Sequence, residues 1–135
     1  MAGWRELVAV AVGGGIGTGI RLGLDTVLPH TDTTFPVSTL LINIVGSFLL
    51  GLLVSTLWTR PTIPSWLKAG LGVGTIGSFT TFSALIVSLL TEADNGLWML
   101  AILYLVLTLV LGFGAAALGI RLGGRRVQRP DLVDE

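Results

Sequence analysis

The feature that most constrains this chain is the spacing of its charged residues. No Asp, Glu, Lys or Arg occurs in residues 33–59, 69–91 or 95–120, and a shorter charge-free stretch covers residues 7–20. A helix needs roughly 20 apolar residues to cross the hydrocarbon core of a bilayer. The three long stretches reach this length, and the first does so when it continues past Arg21. The pattern therefore predicts an all-α integral membrane protein with four transmembrane helices.

The composition supports this class and excludes several others. The chain has 135 residues, of which 52% are hydrophobic and 12% charged, and its mean hydropathy is +0.86. These values are too apolar for a disordered chain or a small soluble domain. Eight basic residues balance eight acidic ones, whereas nucleic-acid binding needs a basic excess. The absence of cysteine excludes disulfides, thiol chemistry and cysteine-built metal sites.

The charge-free stretches and the prolines between them set the predicted helix bounds. We predict one membrane domain over residues 1–122 and a polar C-terminal tail over residues 123–135, with helices near residues 4–28, 36–58, 64–90 and 96–121. A cleaved signal peptide is the alternative interpretation of the first segment. No convincing small-x-small cleavage site supports it.

The basic residues are distributed unequally between the two sides of the membrane. Four helices place both termini and the loop after the second helix on one side, and the loops of the other side carry no Lys or Arg. The positive-inside rule therefore predicts cytoplasmic termini in the cell (plasma) membrane. The predicted cytoplasmic side carries Arg5, Arg60, Lys68, Arg121, Arg125, Arg126 and Arg129.

The first helix contains a glycine-rich run over residues 13–19, followed by Arg21. The glycines predict a close helix–helix packing face, because small residues let two backbones approach. Arg21 is a candidate functional residue, since polar groups at membrane depth must be satisfied or in use. An ordinary ion pair with Asp25, one helical turn later, is the alternative.

Two other polar residues lie within predicted helices. The amide of Asn43, in the middle of the second helix, either makes an interhelical hydrogen bond or lines a pore as a donor. The hydroxyl of Tyr104, in the fourth helix, either faces a pore or anchors the helix at a membrane interface.

The third helix contains the most informative segment, residues 70–83. Glycines alternate there with apolar residues and lead into five hydroxyl residues. A continuous lipid-facing helix has no need of this composition, which favours a broken helix whose freed carbonyls are buried in protein or line a cavity. Such carbonyls hold small cations, and hydroxyls with aromatic edges meet anions. A flexible polar packing seam is the alternative.

Catalytic groupings are absent from the sequence. No acidic residue lies in the middle of a span, which disfavours a proton-coupled antiporter, and His30 is alone in a loop. No Ser/His/Asp grouping at membrane depth suggests hydrolysis. We therefore predict that the chain is not an enzyme and uses no organic cofactor.

These residues resemble the Fluc/CrcB family of fluoride channels over about residues 9–121. The resemblance rests on the glycine run with Arg21, on Thr39-x-x-x-Asn43-x-x-Gly46, on Gly77-x-x-Thr80-Thr81-Phe82-Ser83, and on Tyr104. It implies a passive, fluoride-selective channel that exports fluoride and relieves its toxicity. It also implies an antiparallel dimer of four-helix subunits in membrane lipid, with pores along the subunit interface.

The resemblance also implies roles for individual residues at the matching positions. Backbone carbonyls of Gly77 and Thr80 are expected to bind a central, structural sodium ion. The expected fluoride path involves Asn43 and Phe82 as lining residues, Thr81 and Ser83 as its hydroxyl groups, Tyr104 nearby and Arg21 near a pore vestibule.

Two features depart from the family pattern. Leu85 replaces a second pore phenylalanine and Ala84 replaces a threonine, so half of the aromatic pair and part of the hydroxyl track are missing. The charge bias is the other departure, because an antiparallel homodimer requires one sequence to insert both ways. We therefore expect this chain to insert one way and to pair with an oppositely oriented homologue, with a homodimer as the alternative.

Two other functions remain open at this point. A non-conducting or half-pore partner subunit of a heterodimeric channel is suggested by Leu85 and Ala84. A small four-helix multidrug exporter is the less favoured alternative, because it wants a glutamate inside the first helix and Glu6 is too near the end.

Overall fold

The computed structural model describes residues 3–28 and 37–127, with side chains described as far as residue 124. Four helical segments in these ranges are long and apolar enough to cross a membrane. Their bounds are Trp4–Val27 (α1), Val37–Thr56 (α2), Ser65–Asp94 (the third span, in several pieces) and Trp98–Val127 (α6). The prediction of an all-α, four-span membrane protein is confirmed.

The third span is a broken helix, as predicted. It consists of α3 (Ser65–Ala69), a π-helical segment (Gly70–Ile76), α4 (Gly77–Phe79) and α5 (Phe82–Asp94). Between α4 and α5 the backbone is extended, with φ −76° and ψ 151° at Thr80 and φ −143° and ψ 119° at Thr81. The two residues interrupt the helical hydrogen bonds at a depth where water cannot replace them.

The third and fourth spans end later than residues 90 and 121, where we expected them to end. The third ends at Asp94 because Gly96 adopts a φ of +75° and the N–H of Leu97 returns to the carbonyl of Glu92 at 2.8 Å. We had predicted a loop at Glu92 because the residue is charged, but helical hydrogen bonds do not depend on apolar side chains.

For the same reason α6 continues past Gly123, into the segment we expected to be a polar tail. The predicted loop at residues 29–35 lies outside the described residues.

α1 packs closely on the π-helical segment through two of its glycines. A Cβ atom at Gly13 would overlap the carbonyl oxygen of Gly70, and one at Gly17 would overlap that of Thr75. No atom lies within 4 Å of the corresponding position at Gly15. The predicted packing face therefore exists, and it uses glycines four residues apart, on one side of the helix.

α2 and α6 form a second closely packed helix pair. A Cβ atom at Gly51 would overlap the carbonyl oxygen of Ala116, and one at Gly119 would overlap that of Phe48. Without a hydrophobic driving force between helices in lipid, such close backbone contact is what holds them together. This pair fixes the position of α2, which carries Asn43 to the break in the third span.

The buried core of the described residues is small and lies on the α5 side of the break. Leu40, Leu85 and Tyr104 form its centre, and Tyr104 is fully buried. Glu92 is buried nearby in the last turn of α5, with 3% of its surface exposed and no hydrogen-bond partner for either carboxylate oxygen within the described ranges. Most large apolar side chains are instead exposed on the outside of the bundle, where lipid lies.

Candidate functional site

The break in the third span is closed by the side chain of Asn43. Its Nδ2 donates to the carbonyl oxygen of Thr81 at 3.0 Å, and its Oδ1 accepts from the N–H of Thr81 at 2.9 Å. The amide therefore pairs with Thr81 as a neighbouring strand would, and satisfies both backbone groups of a buried residue. It leaves the second Nδ2 hydrogen for another acceptor.

The break leaves backbone carbonyls without their usual helical partners, and those of Gly77 and Thr80 are among them. In a continuous helix the N–H of Thr81 would donate to the carbonyl of Gly77, but it donates to Asn43 instead. The N–H of Ala84 would donate to the carbonyl of Thr80, but the hydroxyl of Thr81 accepts it at 3.2 Å. Gly77 is exposed and Thr80 is half-buried, so these oxygens lie near the surface of the subunit.

Hard cations such as sodium bind oxygen ligands, and backbone carbonyls freed at helix breaks are one source of them. The carbonyls of Gly77 and Thr80 fit this description, because their helical donors are diverted. These are the two positions at which the sequence resemblance implies sodium ligands. No cluster of three or more His, Cys, Asp or Glu side chains occurs in the described part of the chain, so a cation at the break would depend on backbone oxygens.

A cavity of about 290 Å³ lies beside the break. No Lys, Arg, Asp or Glu lines it. Its polar walls come from α2, the break and α6, and the ring of Phe82 projects beside them with 74% of its surface exposed. The lining residues are Asn43, Gly46, Ser47, Leu50, Thr80, Thr81, Phe82, Leu85, Thr108, Leu109 and Gly112.

The hydroxyls at the start of α5 are part of the same arrangement. Thr81 caps the N-terminus of α5, and its hydroxyl oxygen lies 3.2 Å from that of Ser83. Ser83 is exposed next to Phe82. The cap orders the two hydroxyls at the positive end of a helix dipole, which favours negative charge nearby.

Tyr104 and Arg21 lie outside the cavity. Tyr104 is packed against Leu40 and Leu85, and its hydroxyl contacts the side chains of Thr39 and Thr108. Its side chain therefore lies behind the cavity wall formed by Leu85 and Thr108, neither in open pore space nor at an interface.

Arg21 is half-buried on α1, and its Nε has no hydrogen-bond partner among the described residues. The proposed i,i+4 partner, Asp25, accepts a hydrogen bond from the hydroxyl of Ser38 at 3.0 Å. No ion pair joins Arg21 and Asp25 in the ranges that the structure describes. Arg21 is thus separate from the group of residues at the break.

Thr108 lines the cavity from α6, although it was not among the predicted site residues. Thr108 lies four residues after Tyr104, so helical spacing would have placed both on one polar stripe. Two small residues of α2, Gly46 and Ser47, also belong to the site. Ser47 lines the cavity, and the missing side chain of Gly46 makes room for the methyl group of Thr80.

Comparison with known proteins gives a consistent assignment. Residues 8–120 match the family described as CrcB-like protein, Camphor Resistance (CrcB). The chain is 43% identical to fluoride-specific ion channel FluC 2 of Halalkalibacterium halodurans, over 93% of this chain and 90% of that protein. It is 40% identical to fluoride-specific ion channel FluC 1 of Leifsonia xyli, over 90% of this chain and 88% of that protein. The helix break closed by Asn43 lies inside the matched region. On this match and these identities, the chain belongs to the CrcB family.

Proposed function

We propose that this chain is a subunit of a fluoride-selective channel that lets fluoride leave the cytoplasm passively, and that it is not an enzyme. The observation that carries the proposal is the helix break closed by Asn43 beside an uncharged, hydroxyl-lined cavity. The names of the relatives support fluoride as the transported ion. Passive export would relieve fluoride toxicity.

The chemistry of the cavity suits fluoride. Fluoride is small and strongly hydrated, so a pore must replace its water with short, closely spaced donors such as amides and hydroxyls. The second Nδ2 hydrogen of Asn43 and the hydroxyl of Ser47 are donors of this kind. The exposed edge of Phe82 adds a weakly positive surface. The lining carries no cationic side chain that would hold the ion too tightly.

A central sodium ion is part of the proposal. The carbonyls of Gly77 and Thr80 would hold it, because both have lost their helical donors and both lie near the subunit surface. A sodium ion bound there supplies fixed positive charge. The pairing of Asn43 with Thr81 would keep the break in place around the ion.

The site is open on one side, which favours a second subunit. Phe82, Ser83 and Gly77 are exposed in the single chain, although each belongs to the proposed fluoride path or cation site. An antiparallel partner would cover them and supply the opposite wall. Leu85, by contrast, is buried against Tyr104 and presents no aromatic edge to the cavity, so this chain contributes a single pore phenylalanine.

The charge bias favours a heterodimer over a homodimer. Basic residues are concentrated at the end of the bundle where α1 begins, and the positive-inside rule then directs that end to the cytoplasm of a cell (plasma) membrane. A chain that inserts one way needs an oppositely oriented homologue to form an antiparallel pair. A half-pore or non-conducting role within such a pair is the second candidate function, and the buried Leu85 is the observation that favours it.

A multidrug exporter is less consistent with these observations. The glutamate of the first helix, Glu6, lies in its first turn, where its Oε1 accepts a hydrogen bond from the hydroxyl of Ser65 at 2.5 Å. A carboxylate in that position is at the edge of the bundle and is already bonded. It offers no charged binding group at membrane depth.

Fluoride efflux from liposomes tests the proposal. Vesicles loaded with fluoride and carrying the purified chain alone are compared with vesicles that also carry an oppositely oriented homologue, and release is followed with a fluoride electrode. Release in either case, above that of empty vesicles, supports a channel subunit. Release by the chain alone rejects an obligate partner, and no release in both cases contradicts the proposal. Accessibility tags on both termini test orientation, and equal labelling on both faces would reject one-way insertion.

A further inference from the structure

A groove unrelated to the fluoride site opens at the start of α1. It has a volume of about 410 Å³ and lies between the first turns of α1 and the start of the third span. Its floor is apolar, and its outer end carries two tryptophans and an arginine. The lining residues are Trp4, Arg5, Val8, Ala9, Val12 and Trp66.

The outer end of the groove has the composition of a membrane interface. Trp4 and Trp66 are 71% and 40% exposed, and amphipathic indole rings concentrate at the level of lipid headgroups. The guanidinium carbon of Arg5 lies 5.6 Å from the centre of the Trp4 ring, so a cation–π contact directs the positive charge. Arg5 is therefore held beside the groove at headgroup level.

The inner part of the groove extends in the direction of the acyl chains. From Trp4 to Val12 the helix rises about 12 Å, which covers much of one leaflet's hydrocarbon. Val8 and Val12 are more than half exposed along this path, although both face the groove. An apolar chain lying against them would cover these surfaces while its headgroup remained beside Arg5.

The charge around the groove favours an anionic headgroup. Glu6 is the acidic neighbour, but its carboxylate accepts a hydrogen bond from Ser65 and does not line the groove. The same end of the bundle also carries Arg60, Lys68 and Arg121. The local balance is thus positive, and it attracts acidic phospholipids within a Debye length.

From this juxtaposition we propose that the groove is a binding site for one anionic phospholipid, with its phosphate at Arg5 and an acyl chain along Val8 and Val12. The tryptophans flank the glycerol region on two sides. The site lies on α1 and α3, away from the cavity at the helix break, and does not depend on the proposed fluoride function.

Native mass spectrometry of the purified full-length protein tests this site. Phosphatidylglycerol and phosphatidylcholine with identical acyl chains are titrated separately, and bound lipid per subunit is counted. We expect one phosphatidylglycerol to be retained in preference to phosphatidylcholine. The Arg5→Gln variant is expected to reduce this preference about fivefold, as removal of one basic residue near a lipid surface does. Arg121→Gln removes an equal charge at the same end, outside the groove, and is the matched control.

Each alternative outcome overturns the proposal. Equal effects of Arg5→Gln and Arg121→Gln would mean diffuse attraction to the whole basic end. Equal retention of both lipids would remove the headgroup contact. A groove covered by a second copy of the chain would show no lipid on the dimer and a change in dimer mass fraction with Arg5→Gln.

A second measurement does not depend on charge variants folding well. Brominated phosphatidylglycerol quenches tryptophan fluorescence at contact distance, and the chain has four tryptophans. We expect stronger quenching by brominated phosphatidylglycerol than by brominated phosphatidylcholine, with the difference reduced in Trp4→Phe, where Trp66 still lines the groove, and fully retained in Trp98→Phe. A difference unchanged in Trp4→Phe would place the lipid elsewhere and refute the site.

Discussion

Replacing Asn43 by leucine is the perturbation that bears most directly on the helix break. Leucine has a similar volume, so the change removes the amide without opening a large cavity. Thr81, which is 8% exposed, then loses the acceptor of its N–H, whereas its carbonyl, at the cap position of α5, keeps the first helical hydrogen bond of that helix. The extended backbone at Thr80 and Thr81 keeps this N–H from finding a helical acceptor.

Two magnitudes bracket the expected loss of stability. An unsatisfied buried backbone group costs about 1–3 kcal/mol, and the N–H of Thr81 is one such group in this variant. Interhelical hydrogen bonds measured in a membrane protein average only about 0.6 kcal/mol, because the unfolded chain in the membrane also finds partners. The N–H of Thr81 belongs to a fixed backbone break with little freedom to find a new acceptor. We therefore expect Asn43→Leu to lower the free energy of unfolding by about 1–3 kcal/mol.

Asn43→Asp separates stability from conduction. Aspartate keeps the acceptor for the N–H of Thr81 and loses only the Nδ2 donor to a carbonyl that α5 also satisfies, so we expect a smaller loss of stability than for Asn43→Leu. It also places negative charge in the cavity, which should abolish fluoride flux. Unfolding in mixed micelles gives the first quantity, and efflux from liposomes gives the second.

Ser47→Ala is the matched stability control for both Asn43 variants. Ser47 lies one turn further along α2 and lines the same cavity, but its side chain takes no part in closing the break. We expect its stability within about 0.5 kcal/mol of wild type, as is usual for a substitution without such a role. If Asn43→Leu unfolds as late as Ser47→Ala, the amide does not hold the break and the reasoning is refuted.

Three further predictions concern the packing of α1, the buried carboxyl group of Glu92 and the hydroxyls of the cavity. Gly17→Ala should destabilise the chain by about 1–3 kcal/mol, because its Cβ would overlap a backbone oxygen, whereas Gly15→Ala should be neutral or slightly stabilising. Equal thermal stability of the two variants would contradict the close packing of α1. Glu92→Gln should raise the melting temperature by a few degrees, since it replaces a buried carboxyl without a hydrogen-bond partner in the described part of the chain. A lower melting temperature would mean that a partner stabilises the carboxylate. Ser47→Ala should cut fluoride flux at least severalfold while the protein stays folded, because it removes a hydroxyl of the cavity. Unchanged efflux would remove Ser47 from the path.

The broken third helix was predictable because its composition is wrong for lipid. Glycines and hydroxyls over residues 70–83 have no use on a continuous lipid-facing helix, so a break followed from residue types alone. The partner of the break was not predictable in the same way. Asn43 was known to need hydrogen bonds, but local sequence does not say that Thr81, on another helix, supplies both.

The charge of Glu92 led to a wrong prediction of where the third helix ends. In the fourth helix, the helical spacing of the polar residues predicts more than was inferred from it. Glu92 was placed in a loop because charged residues usually leave the membrane, but the glycine turn at Gly96 ends the helix later. The fourth helix carries Tyr104 and Thr108 one turn apart, and only the first was noticed. Which of them faces the cavity depends on how α6 is rotated against α2, and that is set by contacts of glycines such as Gly119 with the facing backbone.

The central claim, that this chain forms a fluoride-selective path, is tested most directly by reversal potentials. Currents are recorded in planar bilayers carrying the chain, alone or with an oppositely oriented homologue, while fluoride and chloride gradients are varied separately. The account predicts a shift of about 59 mV for each tenfold change in fluoride and no shift with chloride. A comparable shift with chloride, or the absence of fluoride current in both preparations, would contradict it.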